Sequence, residues 1–479
     1  MQIQTPDWVK HAVFYQIFPD RFARSQRKIT NYGPVLEDWE APPTLQGCKG
    51  GNLWGITDSL DYLQELGVTA IYLNPIFQAA SNHRYNTHDY YQVDPLLGGN
   101  EAFRELLKAV HERNMKLILD GVFNHVGRGF FFFHDVVENG PYSPWVDWFT
   151  IHDWPIAPYV GDQPANYECW GGFRAMPELN HENPAVREYI MQVAEYWLRQ
   201  GIDGWRLDVP HCIEVAGFWQ EFRDRVKTIN PNAYIVGEIW RDARQWLDGT
   251  QFDGVMNYLF AEATVAFVAG DRVNRDLATD AEYHPYPAID AATYGERIQN
   301  LLQLYPWEIQ LTQLNLLDSH DVARMNSLVG EDWASVELAT LLMLTFPGAP
   351  CIYYGNEVGL VGAHDPDCRR AFPPQDWWRK DILAKHKQLI SLRHQYSALR
   401  TGEYRLLYSK EMVYIFARTD ERAELVVAVN AGTVPTCISL DNLPLYTATQ
   451  QVLYGRGQAT WSDNRLTVEI PSRSGMILG

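Results

Sequence analysis

Arg206 and Asp208 lie two residues apart in the stretch Gly-Trp-Arg-Leu-Asp-Val-Pro-His, Gly204 to His211. In an extended strand they share one face, while Trp205, Leu207 and Val209 take the other. A cation beside a carboxylate favours its charged form, and an ionised carboxylate ending a buried strand is a candidate nucleophile. For one Arg-x-Asp strand alone, a structural ion pair is the better reading. Two later stretches change the balance. Tyr-Ile-Val-Gly-Glu-Ile-Trp, Tyr234 to Trp240, delivers Glu238 from a second apolar strand, and Asn-Leu-Leu-Asp-Ser-His-Asp, Asn315 to Asp321, ends in His320 and Asp321. A carboxylate nucleophile together with a protonated carboxylic acid is what cleavage of an acetal bond between sugars requires. Ile239 and Trp240 flank Glu238 with apolar bulk that favours a retained proton, so Asp208 is the expected nucleophile and Glu238 the expected acid/base. Asp321, next to His320, is expected to hold substrate hydroxyls and oppose positive charge on the ring. As an N-cap for a helix from Val322 to Leu328 it would be structural instead.

Further polar residues close other apolar stretches. Leu-Asp-Gly-Val-Phe-Asn-His, Leu119 to His125, ends in Asp120, Asn124 and His125, and Ser-Asn-His-Arg-Tyr contributes His83 and Tyr85. Tyr85 would make a stacking platform under a sugar ring, although a Tyr in a loop is more often packing.

These residues need a scaffold that brings distant strand ends together. From residue 12 to about 376 short apolar strands alternate with amphipathic helices, the rhythm of a parallel sheet with helices outside it. The expected strands are Ala12 to Phe18, Ala70 to Ile76, Lys116 to Val122, Gly204 to Val209, Tyr234 to Ile239, Gly254 to Leu259, Leu311 to Leu317 and Ala349 to Tyr354. Eight such units read as an α/β fold, a (β/α)8 TIM barrel, whose active sites lie at the C-terminal strand ends. No Gly-rich dinucleotide loop follows the first strand, which disfavours the open doubly wound sheet. The interval 126–180 is too long for an ordinary loop and too apolar for a linker, and is expected to be a small irregular inserted domain after strand three. The barrel then comprises residues 1–125 and 181–397. Residues 398–479 show alternating segments without helical period, Tyr404 to Tyr408, Met412 to Ala417, Leu425 to Val429, Thr436 to Leu440, Thr449 to Tyr454 and Arg465 to Ile470, and are expected to form an antiparallel β-sandwich.

Composition narrows the partners. The formal net charge of −19 over 479 residues disfavours nucleic acid or an anionic membrane and leaves a neutral substrate open. The six cysteines have no paired spacing, so neither a zinc site nor a disulfide framework is expected. The N-terminus has no leader pattern and no apolar run is long enough to span a bilayer, so a cytoplasmic protein is expected.

The motifs together resemble the alpha-amylase family of glycoside hydrolases. Asp-x-x-x-Asn-His at Asp120 to His125, Gly-x-Arg-x-Asp at Gly204 to Asp208, Glu238, and the pair His320–Asp321 match its four regions in order, with a lesser match at Ala349 to Glu357. The resemblance implies retaining cleavage of α-glucosidic bonds, a domain B after strand three and a C-terminal β domain. It also implies that His125 and His320 hydrogen-bond the sugar at the cleavage position, with His83, Tyr85, Asp120, Arg206 and His211 in the substrate site.

Met176-Pro177-Glu178-Leu179-Asn180 is similar to the Met-Pro-Lys-Leu-Asn signature of cyclomaltodextrinases, neopullulanases and maltogenic amylases, with Glu178 in place of lysine. The first barrel strand starts by residue 12, so the N-terminal β domain usual in that subgroup is not expected. Pro210-His211 replaces the subgroup's Ala-Asn-Glu and is expected to alter the acceptor subsites, which leaves true alpha-amylase or α-glucosidase specificity open. In true alpha-amylases the residues at Asn124 and His211 help bind a structural calcium. Calcium at Asn124 therefore stays open, and the chemistry itself is expected to need no cofactor. The expected substrates are maltooligosaccharides, cyclodextrins, starch and pullulan, with some transglycosylation, by a monomer or homodimer. An inactive amylase-like partner subunit is the alternative class, disfavoured because every acid position is filled.

Overall fold

Eight short parallel strands form the central sheet of the computed structural model: β1 (Phe14–Ile17), β2 (Ala70–Leu73), β3 (Lys116–Gly121), β4 (Gly204–Leu207), β5 (Tyr234–Gly237), β6 (Gly254–Val255), β7 (Leu314–Asn315) and β8 (Ala349–Tyr353). The structure describes residues 3–27, 33–159, 161–162, 164–279, 282–441, 451–462 and 465–479. Neighbouring strands pair in the order β6-β5-β4-β3-β2-β1-β8-β7, and a parallel bridge between Met256 and Leu314 joins the two ends. This is the expected barrel. Helices cover its outside and side chains fill its inside, so the strands read as apolar runs rather than alternating ones.

The polar residues inside those runs are the informative ones. Gln16, Asp120 and Arg206 sit on strands yet are at most 1% exposed. Register places Asp120 directly beside Arg206 across β3 and β4, and Gln16 beside Tyr72 across β1 and β2. Residues aligned in a parallel ladder share a face, so this sequence directs a polar layer into the barrel near its C-terminal end.

Two expected strands are shorter than their apolar runs. β6 stops at Val255 because Asn257 accepts a hydrogen bond from the Phe260 amide at 3.2 Å and starts the helix Tyr258–Ala269. β7 pairs only over Leu314–Asn315, since Leu311 caps the helical turn Trp307–Gln310. The outer helices follow the sequence signals closely. In Pro184–Gln200 the Asn183 side chain accepts from the Ala185 amide at 2.9 Å, Pro184 takes the first position, and Val186, Ile190, Val193 and Trp197 are buried.

The chain between β3 and that helix is irregular but holds, among the described residues, one α-helix, Phe131–Asn139, where no helical period was expected. Its consecutive phenylalanines blur any stripe: Phe133 and Val136 are buried, whereas Phe131 is exposed. Past residue 402 a five-stranded and a three-stranded antiparallel sheet form the C-terminal unit. Val413, Ile415, Val426 and Ala428 face Ile438, Leu466 and Val468 of the second sheet, while Tyr414, Phe416, Val427 and Val429 pack into the barrel's core. Strand Glu424–Asn430 is therefore buried on both faces. The sequence reading missed strands Gln458–Ser462 and Ser474–Leu478, and Thr449 and Gln450 of the expected strand Thr449 to Tyr454 lie outside the described residues.

Gly204 opens the Gly-x-Arg-x-Asp motif for a packing reason: a Cβ there would lie 2.2 Å from the carbonyl oxygen of Tyr234 on β5. Backbone cannot yield as a flexible side chain does. Gly204→Ala is expected to lower stability by about 1–3 kcal/mol in denaturant unfolding, by prying β4 from β5.

Candidate active site

Strand four carries the centre of the site. The Arg206 guanidinium, with no exposed surface, donates through Nη1 to Asp120 Oδ1 at 2.8 Å and to Asp208 Oδ1 at 2.9 Å. Its Nη2 lies 3.0 Å from Glu238 Oε2, an ion pair whose angle falls short of a hydrogen bond. Nε contacts Met256 Sδ at 3.4 Å. One planar cation thus reaches three carboxylates from β3, the end of β4 and the end of β5.

Each carboxylate has further partners. Asp120 Oδ2 accepts from the hydroxyls of Tyr72 at 2.7 Å and Tyr85 at 2.9 Å. Glu238 Oε2 accepts from the Val209 amide at 3.0 Å, and Oε1 accepts from the Trp240 indole at 3.2 Å. That corrects the expected apolar flank: Trp240 offers its N–H, and its ring is stacked on Tyr258 at 4.1 Å. Burial and the neighbouring Glu238 and Asp120 charges push the Asp208 carboxyl well above its ordinary range, with Arg206 pulling the other way. The single guanidinium does not outweigh desolvation among so many like charges.

Asp321 completes the ring of acids. Oδ1 lies 3.2 Å from His320 Nε2 and 3.8 Å from Arg369 Nη2, whereas Oδ2 has no hydrogen-bond partner among the described residues. The helix that follows starts only at Met325, and its amide is taken at 2.6 Å by Asp318, so Asp321 is not the N-cap.

His83, His125 and His320 are neutral rings rather than cations. Gln16 donates to His320 Nδ1 at 2.9 Å, which leaves the proton on Nε2, where the Tyr85 hydroxyl and Asp321 lie. Burial, reinforced by Arg369 and Arg206, holds His320 well below its usual value. The Tyr85 and His320 rings lie within 4° of parallel with centroids 5.3 Å apart, meeting edge to edge through the hydroxyl–Nε2 contact, and the His83 ring lies 6.0 Å from that of Tyr85. Desolvation lowers His83 and His125 to about 3 each. His125 is 1% exposed with both ring nitrogens unpartnered among the described residues, and it stacks on Trp170 at 5.3 Å. Buried polar atoms without partners ask for a ligand.

Asp120, His125, Arg206, Asp208, Glu238, His320, Asp321, Tyr85 and His83 thus gather at one end of the barrel. His211 does not join them: it is exposed and lines a cavity of about 500 Å³ with Trp240, Arg241 and Trp246. Asn124 points towards the half-buried Glu178, whose carboxyl is raised by desolvation, and the chain there is tied by the Val126 amide to Pro177 and the Leu179 amide to Asn124. Calcium takes 6–8 oxygen ligands. Here two oxygen-bearing side chains meet, and among the described residues no group of three or more His, Cys, Asp or Glu side chains could hold a metal. No step below is routed through one.

A family model described as the alpha amylase catalytic domain matches residues 16–398, and one described as the alpha-amylase C-terminal domain matches residues 402–478. The chain belongs to the alpha-amylase family. It is a glycoside hydrolase acting on α-1,4-glucosidic bonds, related to the cyclomaltodextrinases and neopullulanases. It is similar to the crystal structure of a debranching enzyme from Nostoc punctiforme, with 63% identity, full coverage of both chains and a TM-score of 0.95. It is similar, at 33% identity and TM-score 0.87 over 99% of this chain and 100% of the other, to a cyclic alpha-maltosyl-(1→6)-maltose hydrolase from Arthrobacter globiformis. A cyclomaltodextrinase of Geobacillus thermopakistaniensis is 42% identical over 433 residues, 89% of this chain and 70% of its own length.

Within this amylase-family site the sequence reading missed Gln16, Tyr72, Asn74 and Arg369. Gln16 and Asn74 are polar residues in or just after apolar strands, a signal the sequence carries. Arg369 comes from a loop with no pattern to mark it.

Burial and the Glu238 charge raise Asp321 from 3.8 to about 8. Between those values the folded chain binds this proton more readily than the unfolded one, so the group's contribution makes stability fall as pH rises from about 4 to 8. The side chain is 27% exposed, which trims the effect by solvent screening. Asp321→Asn is expected to melt roughly 1–3 °C above the parent at pH 8 and level with it near pH 4, in thermal scans across that range.

Proposed function

We propose that the enzyme cleaves its glucosidic bonds with retention, Asp208 acting as nucleophile and Glu238 as acid/base. The observation that carries this is the Arg206 guanidinium reaching both carboxylates through adjacent terminal nitrogens. Two acids held by one small planar group suit the roughly 5–5.5 Å separation of a retaining pair better than the 6.5–9.5 Å of an inverting one. Glu238 protonates the glycosidic oxygen while Asp208 attacks the anomeric carbon, giving a glycosyl ester and a free acceptor hydroxyl. Glu238, now ionised, then takes a proton from water as that water attacks the same carbon and releases Asp208.

The surrounding groups supply what this sequence of steps needs. Tyr85 offers a ring face to the glucose, held by its hydroxyl to Asp120 and to Asn74 Nδ2 at 3.0 Å. His125, with both ring nitrogens unpartnered among the described residues, is available to hydrogen-bond sugar hydroxyls, and Asp321, with its unpartnered Oδ2, to accept from them and oppose charge on the ring, while His320 holds Tyr85 and Asp321 in place.

The substrates we propose are maltooligosaccharides and cyclodextrins first, with starch and pullulan. Two similar structures are named for a debranching enzyme and for a hydrolase of a ring containing 1→6 links, which supports including α-1,6 bonds. Among the described residues no helix is long and apolar enough to cross a membrane, and all six cysteines are free, which supports a cytoplasmic setting.

Glu238→Gln is expected to lower kcat on maltoheptaose by roughly 10²–10⁴-fold while the oligosaccharide still binds in calorimetry. Turnover at the parent's rate would remove Glu238 from its role, and β-anomeric product in early NMR spectra would replace retention with inversion. With only Asn124 and Glu178 meeting there, no calcium is proposed, and chelation is expected to leave the melting temperature and the initial rates at 25 °C unchanged; a lowered melt would restore a structural ion.

A further inference from the structure

A groove of about 210 Å³ lies beside the catalytic cleft, between the loops that follow β1 and β8. Its walls include Trp39, Pro42, Leu360, Phe372, Pro373 and Trp377, with the charged side chains of Glu40 and Arg370 at its edge. None of these residues takes part in the chemistry described above.

Trp377 is the unexpected one. It is 60% exposed, and its ring has no hydrogen bond or ring partner among the described residues. Its neighbour Trp378 is anchored, donating from the indole to Pro373 O at 2.9 Å and packing on Tyr62 and Phe372. Two adjacent tryptophans, one half-buried and anchored and one presented to solvent over a concave surface, divide structure from recognition.

The rest of the groove is held rigid before any ligand arrives. Trp39 donates to Phe372 O at 2.9 Å and lies under the Arg24 guanidinium at 4.8 Å. Fully buried Lys49 donates to the carbonyls of Asp38 and Ala41, fixing the loop that carries Trp39 and Glu40. A pre-formed wall costs little ordering on binding.

The groove adjoins the reaction centre along the chain. Arg369 donates to His320 O at 3.0 Å and lies 3.8 Å from Asp321, and the next three residues, Arg370 to Phe372, already line the groove. At no more than ~3.6 Å per residue, its near edge is within about 11 Å of Arg369. A polymer seated in the cleft reaches that distance after a few sugar units.

Resting on the α-glucan reading above, the geometry points to this groove as a remote binding site for the same α-glucan chain, with Trp377 stacking on a glucose unit beyond the catalytic positions. A planar aromatic face flanked by Glu40 and Arg370 matches a pyranose, which presents an apolar ring face and a rim of hydroxyls. Short substrates do not reach it. Long chains are retained by it.

Trp377→Ala, at an exposed position that spares the fold, is tested against the parent on maltotriose and on amylose of about twenty units. The expected result is an unchanged kcat/KM for maltotriose and a KM for the long chain raised roughly three- to tenfold. Trp377→Phe is expected to keep most of the long-chain preference. Equal changes on both substrates, or no change on either, would overturn the groove. The maltotriose rate reports the catalytic assignment separately, because a failure of that assignment shows in Glu238→Gln and leaves the long-to-short ratio of Trp377→Ala untouched.

Discussion

A single buried cation among carboxylates organises this enzyme. Taking Arg206 and three acids out of water costs several kcal/mol per ion, and only dense mutual pairing offsets it. The pairing demands register: Asp120 lies level with Arg206 on the adjoining strand, Asp208 follows two residues on along the same face, and Glu238 comes from the next strand over. The closed sheet is the means of meeting that demand, since no shorter run of chain brings three acids to one guanidinium from separate strands. The tyrosine hydroxyls and amide donors around the acids then share out the lone pairs that Arg206 cannot reach.

The excess of negative charge is itself functional chemistry. Asp120, Asp208, Glu238 and Asp321 surround one guanidinium with Arg369 at the margin, so the ligand-free site favours retaining protons. A glycosidase needs one acid that still has a proton and one that has lost it. Crowding favours a held proton at Asp208 and Asp321, and the hydrogen bond from Arg206 to Asp208 is the contact that works against it at the nucleophile position we propose.

The meeting of the acids was legible in the sequence because they close apolar strands, and strand ends on a barrel converge whatever the loops do. The eight-strand rhythm was legible for the same reason: both faces of each strand are buried, so composition marks them even when periodicity does not. What escaped reading was set by tertiary context. β6 and β7 shorten because Asn257 and the turn at Trp307–Gln310 capture residues whose apolar character says strand. Trp240 read as bulk, yet its indole N–H is what meets Glu238. Arg369 had no local signature, and the exposure of Trp377 beside the half-buried Trp378 depends on how the loop after β8 folds. His211, marked by its position after Asp208, is exposed and lines the adjoining cavity with Trp240.

The join between β6 and β7 has a further meaning. Those two strands are the shortest in the barrel, they meet at one bridge, and the residue on its β6 side, Met256, also touches Arg206 through sulfur. The hoop is closed by its thinnest stave against the very group that sets its internal charge. Any breathing at that stave loosens the guanidinium as well, so architectural integrity and electrostatic readiness rise and fall as one quantity.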